Sequence, residues 1–171
     1  LEDFDEETSV ELERLDLYTL EPIYPSDDPG QAISEMKAAA KKILSKNKFL
    51  LCLGGDHAIS IGPIAAAAEL YQNTGVLQID AHLDLRDTWN GSKYNHACVM
   101  RRVVDDIGVP VVQVGIRSFS KEEAALVRQK KISPFYAHDI VPWDNSWIQQ
   151  VIDSLPENVY LTVDLDGLDP G

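Results

Sequence analysis

Basic charge is scarce in this chain. Its 171 residues carry 15 Lys and Arg against 28 Asp and Glu, a formal net charge of −13. Nucleic-acid binders displace counterions with a basic surface, and peripheral proteins dock on anionic lipid with one; the balance argues against both. Long apolar runs are missing too. The longest uncharged stretch, Ala58 to Ala68, is too short to span a bilayer, and no signal peptide is visible. Cysteine is limited to Cys52 and Cys98, without CxxC spacing, which reads as two reduced thiols in a cytoplasmic protein. Neither GxGxxG nor GxxxxGK[ST] follows any expected strand, which disfavours a nucleotide-binding module.

The acidity that is present is unevenly spread. Residues 1–28 hold eleven acids and one base, Arg14, whereas residues 29–171 hold 17 acids and 14 bases. An acidic, mostly solvated N-terminal stretch therefore precedes a nearly balanced body. Beginning at Leu1 and ending at Gly171 directly after a charged motif, the chain reads as a fragment.

The body alternates short apolar runs with longer amphipathic ones. Leu15 to Tyr18 is a candidate first strand. Asp28 and Pro29 form an N-cap and first helical position, and Ala32 to Leu44 then places Ile33, Met36, Ala40, Ile43 and Leu44 at helical spacing. Phe49 to Leu53, ended by Gly54-Gly55, has the continuous apolar character of a strand buried on both faces. Helices are expected at Ile61–Tyr71, His96–Ile107, Lys121–Gln129 and Asn145–Ser154. Strands are expected at Gly75–Ile79, Pro110–Gly115, Asn158–Val163 and, more weakly, Ile132–Tyr136. Strands joined by helical crossovers are βαβ units, hence one α/β domain over 1–171 with a mainly parallel sheet and helices on its faces. No linker and no internal repeat interrupts it.

Ligands of open α/β sheets bind outside the carboxyl ends of the strands. At those positions stand Gly54-Gly55-Asp56-His57, Asp80-Ala81-His82-Leu83-Asp84 and Asp164-Leu165-Asp166-Gly167-Leu168-Asp169-Pro170. Two of the four histidines, His57 and His82, fall there. In extended backbone Asp80, His82 and Asp84 share one side, with about 7 Å between successive Cα atoms, and Ala81 and Leu83 point into packing. Each motif alone is compatible with ordinary loop and capping roles; all three at strand ends are not. Four carboxylates gathered without Lys or Arg repel one another and lose hydration. Divalent cations compensate them most simply. Imidazole mixed with carboxylate suits Mn²⁺, Fe²⁺, Co²⁺ or Zn²⁺, and six donors exceed one tetrahedral site, which suggests two metals with bridging carboxylates.

These blocks, GGDH at 54–57, DAHLD at 80–84 and DLDGLDP at 164–170, resemble the signature blocks of the ureohydrolase family, the arginases, agmatinases and their relatives. The stretch Tyr94 to Arg102, with Asp87 and Gly91 before it and Gly115 to Ser118 after it, is more similar to agmatinases. The likeness runs from about residue 12 to the end. It implies an arginase-like three-layer α/β/α fold, truncated here, and two Mn²⁺ per subunit. His57, Asp80, Asp84 and Asp164 would hold one ion. His82, Asp80, Asp164 and Asp166 would hold the other, with Asp80 and Asp164 bridging. His96 matches the family's loop histidine, a proton shuttle, and Asp84 would also hold the nucleophile.

The implied reaction hydrolyses a small cationic guanidino substrate, agmatine first, to urea and an amine (putrescine from agmatine). Arginine, 4-guanidinobutyrate and related substrates remain open, as does a non-catalytic binding subunit. The resemblance further implies a cytoplasmic homo-oligomer, a trimer or hexamer, with no nucleic-acid or membrane partner. It places the glutamate that grips the guanidinium beyond Gly171, so this piece alone is expected to be weak or inactive. Of the remaining candidates, His138, Trp143 and Trp147 read as surface or packing residues. Trp89 is a possible pocket wall. Arg101 and Arg102 form a solvated or ion-paired helix face, and Arg117 is a partner for an acid at a subunit contact.

Overall fold

The computed structural model describes residues 4–11, 14, 16–130, 132–141 and 143–168. Its frame is a four-stranded parallel sheet in the order β5-β4-β3-β6. The strands are β3 (Thr74–Ile79), β4 (Val111–Ile116), β5 (Phe135–Tyr136) and β6 (Asn158–Val163). A two-residue hairpin in the acidic stretch, β1 (Phe4–Asp5) with β2 (Val10–Glu11), stands apart from it.

Helices cover both faces, as parallel strands require. On one face α2 (Ile61–Leu70), α3 (Val99–Arg102) and α4 (Lys121–Lys130) send Ile64, Val99, Met100, Leu126 and Val127 onto Val76 and Ile116. On the other, α5 (Ser146–Asp153) packs Val151 and Trp147 against Val112, Val114 and Leu77. The strand period of two sends Val76 to the first face and Leu77 to the second. The result is the expected three-layer α/β/α arrangement with a mainly parallel sheet.

Helix α1 (Pro29–Leu44) starts where the capping signal lies. Asp28 accepts the Gln31 N–H at 2.7 Å, with Pro29 at the first position. It packs on α2, where Gly62 permits a close approach: a Cβ there would stand 2.7 Å from the Ile33 carbonyl oxygen.

Three expectations fail. Phe49 to Leu53 forms no strand; its alternate residues Phe49, Leu51 and Leu53 are 96%, 75% and 88% exposed. An apolar run signals burial but not the partner that supplies it, and among the described residues no strand pairs with this one. Leu15 lies outside the described residues, and Asp16 to Tyr18 is irregular, with Leu17 and Tyr18 exposed. The single helix His96–Ile107 is three segments: a 3₁₀ turn at His96–Cys98, α3, and a π-turn at Val103–Ile107. The π-turn closes on Gly108 in a left-handed conformation, φ 79°.

Candidate metal centre

Sheet register builds the site. Ile79 pairs with Val163, and the Asp164 N–H donates to the Ile79 carbonyl at 2.9 Å. The next residues, Asp80 and Asp164, therefore leave neighbouring strands side by side. Beyond Asp164 the chain turns at once through a 3₁₀ turn, Leu165–Gly167. That turn sits directly on the Asp80 backbone: a Cβ on Gly167 would lie 2.8 Å from the Asp80 nitrogen. Glycine at 167 is what lets the Asp166 turn close over the end of β3. Arg117 clamps the turn from the other side, donating to the Asp166 carbonyl and, at 3.5 Å, to that of Leu168. Within this chain these carbonyls are its partners. Asp169 and Pro170 lie outside the described residues.

The DAHLD segment is extended only in part. Ala81 and Leu83 are buried, as alternation predicts. Asp84, however, sits at φ 52°, a left-handed conformation that turns its carboxylate back toward His57. Glu123 secures the exit from this segment by accepting the Leu85 N–H at 3.0 Å.

His57 enters on a 3₁₀ turn, His57–Ser60, capped by Asp56, whose Oδ1 accepts the Ala58 N–H at 2.8 Å. The His57 Nδ1 lies 2.7 Å from Asp84 Oδ2, 3.3 Å from Asp80 Oδ2 and 3.9 Å from Asp164 Oδ2. Its Nε2 lies 3.0 Å from the Thr162 hydroxyl, which fixes the ring. His82 Nδ1 lies 3.1 Å from Asp166 Oδ2 and 3.6 Å from Asp80 Oδ1.

Two groups of potential donors result, each with all its ligand atoms within 4.8 Å of one another: His57, Asp80 and Asp164, and Asp80, His82 and Asp166. Asp80 belongs to both, and Asp84 adjoins the first through His57. All six anticipated metal ligands thus line one cavity of about 650 Å³, together with His96, Asp56, Arg86 and Trp89.

The electrostatics ask for cations. Among the described residues no Lys or Arg side chain pairs with Asp80, Asp84, Asp164 or Asp166. Burial would lower the His57 pKa, but hydrogen bonds to Asp80 and Asp84 and their charges outweigh it and push it up to about 10. Asp84 is pushed up to about 6, first by burial and then by the Asp80 charge. Asp80 stays below its ordinary value although burial opposes this, because His57, the His82 N–H and Gln78 donate to it. Imidazole and carboxylate donors in two overlapping sets fit a pair of borderline-hard divalent ions.

Around this centre, His96 Nδ1 lies 3.5 Å from Asp56 Oδ2 at the cavity mouth. The Arg86 guanidinium stacks 4.3 Å over the Trp89 ring, and both residues line the cavity. A second cavity of about 170 Å³ adjoins the first through His82, Asp84, Arg86 and Ala97 and adds Ser118, Phe119, Ser120 and Glu123. Arg101 and Arg102 are the ion-paired form of the expected face: Arg101 pairs with Asp105, and Arg102, which is buried, pairs with Asp87 at 2.6 Å and Asp106 at 3.2 Å. Trp147 packs on the sheet, Trp143 is exposed, and exposed His138 stacks on Tyr136 away from the cavity.

Sequence reasoning missed Thr162, Gln78, Gln113 and Glu123. For the first three a signal existed: each is a polar residue inside a mostly apolar strand, and Thr162 and Gln78 stand two residues before Asp164 and Asp80, on the same side of their strands.

A parallel α/β sheet that gathers histidines and aspartates at its strand ends into two donor sets sharing one carboxylate defines an α/β protein with a candidate binuclear metal site. The chain belongs to the Arginase family, whose model matches residues 1–171. It is 38% identical to an N(1)-aminopropylagmatine ureohydrolase of Synechocystis sp., over 100% of this chain and 58% of that protein. An agmatinase of Pyrococcus horikoshii is 37% identical over 68% of this chain and 38% of its own length. Among solved structures, the agmatine ureohydrolase of Thermoplasma volcanium superposes with a TM-score of 0.88 at 30% identity, covering 99% of this chain and 57% of that one. The chain thus spans under three fifths of the length of these relatives. No helix among the described residues is long and apolar enough to cross a membrane.

Proposed function

We propose that the whole protein is a binuclear manganese hydrolase that cleaves the guanidinium group of agmatine to urea and putrescine. The observation that carries this reading is the pair of donor sets sharing Asp80 at the end of β3. His57, Asp80, Asp84 and Asp164 would hold one ion, and His82, Asp80, Asp164 and Asp166 the other. Bound there, the two ions would supply Lewis acidity and lower the pKa of water. Asp84 would accept a hydrogen bond from the attacking water and orient it toward the planar guanidinium carbon. His96, at the cavity mouth, passes a proton from its ring to the leaving amine. Asp56 Oδ2 lies 3.5 Å from His96 Nδ1, where its charge favours the protonated ring. Agmatine's amine tail needs no carboxylate clamp.

A second substrate, N(1)-aminopropylagmatine, is supported by the adjoining 170 Å³ cavity, which can take a longer tail, and by the names of similar proteins. Urea release by the whole protein, with manganese added, from agmatine, N(1)-aminopropylagmatine, arginine and 4-guanidinobutyrate tests both. Release from agmatine is expected; preference for a carboxylate-bearing substrate would overturn the assignment. Residues 1–171 are read as part of one domain. A cytoplasmic homo-oligomer, trimer or hexamer, completes the proposal and is read by light scattering.

A further inference from the structure

Beneath the candidate centre lies a hydrogen-bonded chain of two glutamines. Gln78 on β3 and Gln113 on β4 are register partners in neighbouring parallel strands, and neither has any exposed surface. The Gln113 amide nitrogen donates to the Leu83 carbonyl at 2.8 Å and to Gln78 Oε1 at 2.6 Å. The Gln78 amide nitrogen donates to Asp80 Oδ2 at 2.7 Å and to the His82 carbonyl at 3.3 Å. The direction is forced, because turning either amide over would set its oxygen against a carbonyl or a carboxylate. The chain thus runs one way and ends on the one carboxylate common to both donor sets.

Packing does not account for these residues. Both interrupt otherwise apolar strands, and Gln113 Oε1 is buried without a partner, an arrangement that an apolar side chain would avoid. Asp80 Oδ1 is separately held by the His82 N–H at 2.7 Å. Asp80 Oδ1 is thus held by the His82 N–H and Oδ2 by Gln78, with His57 Nδ1 also 3.3 Å from Oδ2, and together these fix the plane of the carboxylate.

We propose that Gln78, backed by Gln113, is a positioning residue that presets the Asp80 carboxylate to bridge two divalent cations. This rests on the metal-centre reading above. Outer partners of metal ligands change metal affinity by about 10–100-fold when removed.

The test is a competition titration of Mn²⁺ against a chelating dye on the whole, metal-stripped protein, with the metal-free melting temperature followed in parallel. Gln78→Met keeps length and removes the donors; an affinity loss of about 10–100-fold is expected, with kcat recovered at saturating manganese. Gln113→Met should give a smaller loss in the same direction. The double variant should lose no more than Gln78→Met alone, since one chain is broken once. Should Gln78→Met not fold, Gln113→Met, which leaves the Asp80 contact in place, reads the same coupling. Unchanged affinity in a folded variant, or losses that add in the double variant, overturns the proposal and leaves the metal centre standing. A wild-type protein that binds no manganese overturns both.

Discussion

The candidate centre has two unlike halves. His57, Asp80 and Asp84 are buried, and each has partners within the protein: Thr162 and Asp84 for His57, Gln78 and the His82 N–H for Asp80. His82, Asp164 and Asp166 have side chains 50%, 37% and 48% exposed. Among the described residues β6 is paired on one edge, with β3, in a chain that spans under three fifths of its relatives' length. The buried half is preset by its partners within the protein, and the exposed half depends on the Gly167 turn and the Arg117 clamp.

Replacing Asp80 tests the feature that joins the halves and should have the largest effect. Asp80→Ala removes a donor from both sets and leaves His57 with one carboxylate fewer. Loss of both metal equivalents by elemental analysis is expected, with manganese affinity falling by more than the ~100-fold of an outer partner. Retention of two ions would show that Asp80 does not bridge. Asp166→Ala should strike the open half alone, leaving about one manganese per chain, because Asp166 belongs to one donor set.

Gly167→Ala comes next. A methyl 2.8 Å from the Asp80 nitrogen forces the turn off β3, and overpacking of this kind costs about 1–3 kcal/mol. The open half should lose its ion before the preset half does, so the manganese titration should split into two steps. A wild-type titration curve would mean that the turn is already free of Asp80.

The same contrast explains what could be read in advance. Asp80, His82 and Asp84 announce themselves because ligands concentrate at strand ends, and a period of two buries Ala81 and Leu83 between them. The parallel direction of the central strands follows from alternating helices and apolar runs. Phe49 to Leu53 misled because composition records a demand for burial and not the partner that meets it. Gln78, Gln113 and Thr162 went unread because a polar residue within an apolar run looks like an exception until its contact is known. The left-handed Asp84 and the π-turn before Gly108 are local backbone events that no hydrophobic period encodes. Arg117 showed only a charge after a strand; its use lies in carbonyls 49 and 51 residues away.

The smallest effect is expected at the cavity mouth, where neither half of the centre is touched. Asp56 does two jobs with two oxygens: Oδ1 caps the His57 turn through the Ala58 N–H, and Oδ2 lies beside His96 Nδ1. Asp56→Asn keeps an oxygen for the cap and removes the charge beside the imidazole. Manganese affinity and melting temperature should therefore stay near wild type, while kcat for urea release falls by about tenfold, less than the ~10²–10⁴ that a general acid itself contributes. Asp56→Ala removes the cap as well, which costs about 0.5–2 kcal/mol, and should loosen His57 and with it the preset half. A kcat loss confined to Asp56→Ala would assign Asp56 to the cap alone. A loss already present in Asp56→Asn, with metal binding intact, would separate proton delivery at the mouth from metal holding at the floor.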